Sequence, residues 1–192
     1  MRIERGYPPA DAPTIAGLFL SGFGAKLHNV TGTDDRARDF FAAELDPGTT
    51  LVARVDQRAV AALGYLVAGT GHPLRQTWAN AWRSYRLSAV WRVALLALLD
   101  QKATHDALHI DWLCVDPQTR GTGAGTALVF AAQELAAEQG KTALTLSVVD
   151  SNSRAKALYE RLGFVTVATQ RLPAPRRLFG FGSADEMRKD FG

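Results

Sequence analysis

Cysteine is nearly absent from the 192-residue chain, in which Cys114 is the only one. A single cysteine excludes an intrachain disulfide and argues against a cysteine-based metal centre, so we predict no metal site. Long hydrophobic runs are also missing. The longest, at residues 87–99, is interrupted by Arg92 and is shorter than the roughly 20 residues of a membrane span. The first residues contain no apolar core of signal-peptide type. We therefore expect a cytoplasmic protein without a membrane partner.

A strong excess of one charge is lacking as well. Lys and Arg number 22 and Asp and Glu number 19, which gives a formal net charge of +3. Nucleic-acid binding normally requires a basic stripe with interleaved aromatic residues, so we predict no nucleic-acid partner. Internal repeats and low-complexity tracts are absent, and hydrophobic residues make up 47% of the sequence. This length and composition predict a single globular domain over residues 1–192.

The first half of the chain predicts a short strand, two helices and a β-hairpin. The strand covers residues 2–6, and a helix with one apolar face follows Pro13. Residues 22–34 read as a loop, after which a second helix begins at Asp34 or Asp35 and ends at Leu45. The hairpin strands cover residues 49–56 and 58–69.

The second half predicts alternating strands and helices. Residues 70–107 carry aromatic and apolar residues at helical spacing, which predicts a helical insertion. The elements that follow are a buried strand at 109–115, a helix that ends before Gly140, a buried strand at 142–149, a helix at 151–163, and strands at 164–172 and 186–191. This order predicts an α/β architecture with a parallel pair of strands at its centre.

A glycine-rich segment joins the buried strand to the next helix. Gly121, Gly123 and Gly125 lack the Cβ atoms that would hold phosphate oxygens away. The backbone N–H groups of the segment and of the first helical turn form an anion cradle, and Arg120 adds charge at its rim. A tight turn with small residues for packing explains the same spacing equally well. A Walker loop requires Lys where Thr126 stands, and the Rossmann pattern requires a different spacing.

The segment VDPQTRGTGAGTAL resembles the signature of the GNAT acetyltransferase superfamily. The family pattern R/Q-x-x-G-x-G/A matches Arg120, Gly123 and Gly125.

The later segment VVDSNSRAKALYERLGF is similar to a second motif of that family. In this motif an Asn, followed seven residues later by a Tyr, precedes a GF pair; here these are Asn152, Tyr159 and Gly163–Phe164. The segment EMRKDF is similar to the family's usual last strand. The two motifs occur in the family's order and at its separation.

The resemblance implies a mixed central sheet of six to seven strands flanked by helices, with a helical insertion at about 70–107 before the glycine-loop strand. It implies an N-acetyltransferase that moves an acetyl group from acetyl-CoA to a small-molecule or peptide amine by direct attack. The parallel strands would separate to admit the pantetheine arm. The implied cofactor-binding residues are Leu113, Cys114, Val115, Arg120, Gly121, Thr122, Gly123, Ala124, Gly125, Thr126 and Asn152.

Acetyl transfer to an amine requires a base for the ammonium proton and an acid for the leaving thiolate. The resemblance favours Tyr159 as the acid; the alternative is a packed core aromatic. His109 and Asp111 are candidate bases. Because alternate residues of a strand share a face, we expect these two side chains to point the same way, as those of Leu113 and Val115 do. A relay through water, a solvated histidine and a salt-bridged aspartate are the alternatives. We predict that Cys114, on the other face, is a small core residue and not a nucleophile.

The insertion carries Trp78, Trp82, Tyr85 and Trp91 together with several arginines. These residues can form an aromatic wall for an amine that also carries an acidic group, or pack onto the sheet or a second subunit of a homodimer. Two rival functions stay open. One is a CoA-binding sensor or partner-binding module with degenerate chemistry, and the other is a nucleotide-phosphate enzyme, which only the glycines support.

Overall fold

A computed structural model of the chain describes residues 1–31, 35–68, 104–171 and 181–192, with the side chains of 23–31 left aside. The predicted insertion at about 70–107 lies outside the described residues except for its last four. The described elements, in chain order, are β1 (Arg2–Arg5), α1 (Ala12–Thr31), α2 (Asp35–Glu44), β2 (Thr50–Val55), β3 (Arg58–Val67), β4 (Ala107–Val115), α3 (Ala124–Glu138), β5 (Ala143–Val149), α4 (Ser153–Arg161), β6 (Val165–Arg171) and β7 (Ser183–Asp190).

All seven described strands belong to one mixed sheet with the order β1-β2-β3-β4-β5-β7-β6. Only the pairing of β4 with β5, among these strands, is parallel, and the other five pairings are antiparallel. The prediction of a six- to seven-stranded mixed sheet with a central parallel pair is therefore confirmed. Asp56 and Gln57 join β2 to β3 with positive φ at both positions, as a type I′ hairpin turn requires.

Helices cover both faces of the sheet and enclose two hydrophobic clusters. The first cluster lies between the sheet and α3, where Leu128, Val129 and Ala132 meet Leu108 and Ile110 of β4. Tyr159 of α4 belongs to the same cluster, since right-handed β4-α3-β5 and β5-α4-β6 crossovers place both helices on one face. The second cluster lies on the opposite face and combines α1 and α2 with β2, β3 and β4.

The predicted loop at residues 22–34 is wrong for most of its length. Helix α1 continues through this segment to Thr31. Gly22 is helical and has a packing role: a Cβ there would lie 2.7 Å from the Cys114 Sγ atom. The second helix begins at Asp35, as predicted.

A β-bulge interrupts the predicted alternation along β4. Gly64 pairs with Trp112 and Tyr65 pairs with Ile110, so Asp111 is the extra residue of the bulge. Before the bulge, Leu108 and Ile110 face α3; after it, Leu113 and Val115 pack on that side while Trp112 and Cys114 face α1. The prediction that one face carries His109, Leu113 and Val115 is therefore wrong, and Cys114 shares the α1 face with His109.

Candidate active site

The two parallel strands separate at the centre of the sheet. Pairing between β4 and β5 runs from Ala107 with Ala143 to Ile110 with Leu146, although β4 continues to Val115 and β5 to Val149. Beyond this point β5 pairs only with β7 among the described strands. In the described part of the chain, no strand fills the space beside β4 from Asp111 to Val115 on the β5 side, and an extended ligand can bind such an edge as an added strand does.

Asp116 holds the chain in place where β4 ends. Its backbone N–H donates to the Val60 carbonyl at 2.8 Å, and its side chain accepts from the Gln118 N–H at 3.0 Å. The second carboxylate oxygen lies 2.7 Å from the Arg58 guanidinium on β3. These contacts hold the start of a short 3-10 helix, Pro117–Thr119, which leads into the glycine segment.

The structure assigns different roles to the three glycines. Gly121 and Gly123 both have a φ of +86°, so the turn itself requires glycine there. Gly125 has an ordinary helical conformation, and a Cβ at this position would meet Val115, Leu113 and Leu158 at 3.5–3.8 Å. The turn therefore does not explain Gly125.

The start of α3 offers backbone donors without a competing side-chain cap. Gly123 is the N-cap residue and makes no side-chain capping hydrogen bond. The first N–H groups of a helix have no intrahelical partner and carry the positive end of the helix dipole, which makes this end a binding site for anions.

A cleft of about 550 Å³ connects the gap between the strands to the start of α3. Ten of the eleven predicted cofactor-binding residues line it: Leu113, Cys114, Val115, Arg120, Gly121, Gly123, Ala124, Gly125, Thr126 and Asn152. The exception is Thr122, whose N–H and hydroxyl both donate to the Thr119 carbonyl, at 3.3 and 2.7 Å. Two distant sequence motifs thus form one cavity.

The sequence analysis missed several residues of the cleft. Arg154 and Arg161 of α4 line it together with Ser151, Ala155 and Leu158, and Gly22 contributes from α1. Residues seven apart share one face of a helix, so the spacing of the two arginines carried a usable signal. With Arg120 they give the cleft three guanidinium groups, a charge suited to a polyanionic ligand.

Helix α4 brings the second motif to the cleft. The Asn152 side chain accepts from the Ala155 N–H at 3.3 Å and so caps the helix, while the residue also lines the cleft. Gly163, with a φ of +89°, ends the helix. Tyr159 lies on this helix between Asn152 and Gly163. Its side chain is 8% exposed, and its ring centroid lies 5.7 Å from that of Phe164.

Burial changes the acidity of the Tyr159 phenol. Desolvation is the main cause and a charge interaction with Cys114 the second; together they raise the pKa of Tyr159 to about 12. No other residue in the described part of the chain forms a hydrogen bond with its hydroxyl. Tyr159 is therefore protonated at neutral pH, but it is not among the residues that line the cleft.

Neither candidate base lines the cleft. His109 is 5% exposed, and its Nδ1 atom lies 3.0 Å from the Thr145 hydroxyl on β5. Asp111 is partly exposed at the bulge, where the gap begins. On β5, the Ser147 hydroxyl is buried just past the last β4–β5 pair and has no hydrogen-bond partner among the described residues; the sequence analysis overlooked this polar group.

The described residues include no cluster of three or more His, Cys, Asp or Glu that could hold a metal ion. None of the described helices combines the length and hydropathy of a membrane-crossing segment.

Comparison with known proteins agrees with this geometry. Residues 23–164 match the acetyltransferase (GNAT) family, and the chain belongs to that family. Mycothiol acetyltransferase from Beutenbergia cavernae is 33% identical over 141 residues, which are 70% of this chain and 46% of that protein. The chain thus spans about half the length of this curated relative.

Solved structures share the fold at low sequence identity. An N-acetyltransferase from Staphylococcus aureus superposes with a TM-score of 0.66 and 15% identity over 98% of this chain and 100% of its own. A GCN5-related N-acetyltransferase from Kribbella flavida gives 0.62 and 15% over 99% and 97%. These likenesses show the architecture.

Proposed function

We propose that the protein is an N-acetyltransferase that uses acetyl-CoA and transfers its acetyl group to a primary amine by direct attack. The observation that carries this proposal is the cleft itself. It joins the part of β4 that has left β5, a glycine-lined helix start and three arginines, and its lining residue Cys114 is close enough to the buried Tyr159 to interact with its charge. Family membership and the relative's name support acetyl as the transferred group.

The residues of the cleft fit the parts of acetyl-CoA. The pantetheine arm carries amides, which match the backbone groups of Leu113–Val115. The pyrophosphate matches the N–H groups after Gly121, where a Cβ at Gly121 or Gly123 would meet no atom within 4 Å. Arg120, Arg154 and Arg161 add the positive charge. The thioester supplies an activated acetyl carbonyl that an amine can attack.

Tyr159 serves as the proton donor in this proposal. When the amine nitrogen bonds to the carbonyl carbon, the C–S bond breaks and the sulfur takes the electron pair. A neutral phenol beside the sulfur stabilises the thiolate with a charge-assisted hydrogen bond and delivers its proton, and the surplus proton that the attacking nitrogen loses as the amide forms restores the phenol. The raised pKa keeps Tyr159 in the donating form over the whole physiological range.

Asp111 is the better of the two predicted bases. It is partly exposed at the bulge, whereas His109 is buried and engages Thr145. Because neither lines the cleft, we propose that the ammonium proton reaches Asp111 through water.

Tyr159→Phe tests the proposal. We expect turnover to fall about 10²–10⁴-fold, the usual contribution of a positioned acid, with the dissociation constant of acetyl-CoA near the wild-type value. Tyr65→Phe is the matched control, since the Tyr65 hydroxyl donates to the Gly48 carbonyl at 3.1 Å, away from the cleft. Release of CoA thiol is followed with a panel of primary amines.

The outcomes separate the rival functions. If Tyr159→Phe turns over at the wild-type rate, Tyr159 is not the acid. If the wild type binds acetyl-CoA and acetylates no amine of the panel, the sensor function replaces the transferase. Binding of ATP or NAD in preference to CoA supports the nucleotide-phosphate enzyme.

A further inference from the structure

Helix α1 touches the cleft at one residue among those described. Gly22 lines it, and a Cβ on Gly22 would lie 2.7 Å from the Cys114 Sγ atom, 3.5 Å from its Cβ and 3.9 Å from its Cα. The α1 backbone and the thiol are therefore in contact and close the cleft on the side opposite α3 and α4.

Cys114 forms the strand side of this contact. Its side chain is 2% exposed and belongs to the cluster beneath α1, and its thiol lies 3.8 Å from the Phe19 carbonyl, to which it donates. Cys114 is also close enough to Tyr159 to contribute to the raised pKa of that phenol. The contact and the proposed acid thus lie near the same end of the cleft.

The position of this contact bears on the acyl group, given the function proposed above. The pantetheine arm enters from the side of α3 and α4, and its sulfur must come to rest beside Tyr159. The acyl chain beyond the carbonyl then points toward α1. We propose that the Gly22–Cys114 contact is the wall of the acyl pocket and restricts the donor to acetyl-CoA over longer acyl-CoA thioesters.

Three variants change the volume at this wall in a controlled way. Cys114→Ala removes the sulfur and opens space beside Gly22. The double variant Gly22→Ala/Cys114→Ala returns one methyl group from the α1 side, where it meets the remaining Cβ at an ordinary 3.5 Å. Cys114→Ser keeps nearly the original size and controls for the chemistry of the thiol. Gly22→Ala alone is avoided because its methyl would collide with the sulfur.

Calorimetric titration with CoA, acetyl-CoA, propionyl-CoA and butyryl-CoA measures the preference. For each variant, the association constant of every acyl-CoA is divided by the association constant of CoA, and these normalised values are compared between acyl groups. One methylene in an apolar pocket changes affinity by roughly 10-fold or more, so we expect wild type and Cys114→Ser to bind acetyl-CoA about 10-fold more tightly than propionyl-CoA. We expect Cys114→Ala to reduce the preference for acetyl-CoA over propionyl-CoA to within about 3-fold, and the double variant to restore the 10-fold preference.

Two results would overturn the inference while the proposed function stands: a ratio that is the same in wild type and Cys114→Ala, or a double variant that keeps the relaxed preference. A shift in Cys114→Ser as large as in Cys114→Ala would also overturn it, because pocket volume would not be the cause. Failure of wild type to bind CoA at all is a different result and would remove the proposed function itself.

Discussion

Gly125→Ala separates what the fold requires of the glycine loop from what a ligand requires. Gly125 has no positive φ, and the new methyl would meet Val115, Leu113 and Leu158 at 3.5–3.8 Å, which is ordinary van der Waals contact. Alanine is about 0.8–1.0 kcal/mol better than glycine inside a helix. Because Gly125 is in the first turn of α3, we expect a gain of about 0.5–1 kcal/mol in the free energy of unfolding.

The same methyl group should weaken the binding of CoA. Its three neighbours all line the cleft, so the substitution fills space that the ligand is proposed to occupy. We expect a dissociation constant for acetyl-CoA at least about 10-fold above the wild-type value, which corresponds to about 1.4 kcal/mol. Calorimetric titration measures the affinity, and denaturant unfolding measures the stability of the same preparation.

Gly140→Ala is the matched control with the opposite pattern. Gly140 follows the far end of α3 with a φ of +69° and has no atom within 4 Å of an added Cβ. We expect a loss of about 1 kcal/mol in stability from backbone strain, with acetyl-CoA affinity unchanged. If Gly125→Ala binds acetyl-CoA as tightly as wild type, the glycine does not serve the ligand and the assignment of the cleft is refuted.

Other predictions concern the buried phenol, the bulged strand and the loop anchor. The pKa of Tyr159 is about 12 when folded and near 10 when unfolded, so its contribution to stability is complete below pH 10 and is lost as the pH rises toward 12. Denaturant unfolding at pH 9 and pH 11.5 should show the wild type losing about 2 kcal/mol more than Tyr159→Phe, and equal losses would contradict the desolvation argument. Gly64→Ala should cost about 3 kcal/mol, measured by thermal unfolding, because its Cβ would overlap the Trp112 indole; an unchanged melting temperature would contradict this packing. Asp116→Ala should lower the free energy of unfolding by about 1–2 kcal/mol, because the cap of the 3-10 helix is lost. Arg58→Ala removes the 64%-exposed partner of the ion pair and should lower it by under about 0.5 kcal/mol; equal losses would show that the ion pair dominates.

The central part of the fold could be predicted because each element carries a local signal. The hairpin follows from two β-rich runs, 49–56 and 58–69, that are almost adjacent in sequence; Asp56 and Gln57 between the observed strands adopt the positive φ values of a type I′ turn. The buried strand, the glycine segment and the helix after it follow from apolar runs and from glycines that end or begin elements. These signals come from residues that are close in sequence, and tertiary packing does not change the elements that they predict.

The bulge in β4 could not be predicted, since it depends on tertiary pairing. Alternation along a strand assumes one residue per partner, and the extra residue Asp111 reverses the faces of everything after it. Because of this reversal, Cys114 shares a face of the sheet with His109, contrary to the prediction.

Gly22 shows a different limit. A glycine that permits close approach and a glycine that permits a turn are the same letter in a sequence. Only the distance from its Cβ position to the Cys114 sulfur, in a contact between residues 92 positions apart, distinguishes the two roles.

The central claim is that backbone N–H groups after β4 bind a pyrophosphate and place a thioester beside Tyr159. A crystal structure of the protein with coenzyme A tests it most directly, through the distance from the CoA sulfur to the Tyr159 hydroxyl oxygen. We predict the pyrophosphate at residues 121–126 and a sulfur–oxygen separation within hydrogen-bond reach, about 3–4 Å. A pyrophosphate bound elsewhere, or a sulfur more than about 6 Å from the phenol, would contradict the account.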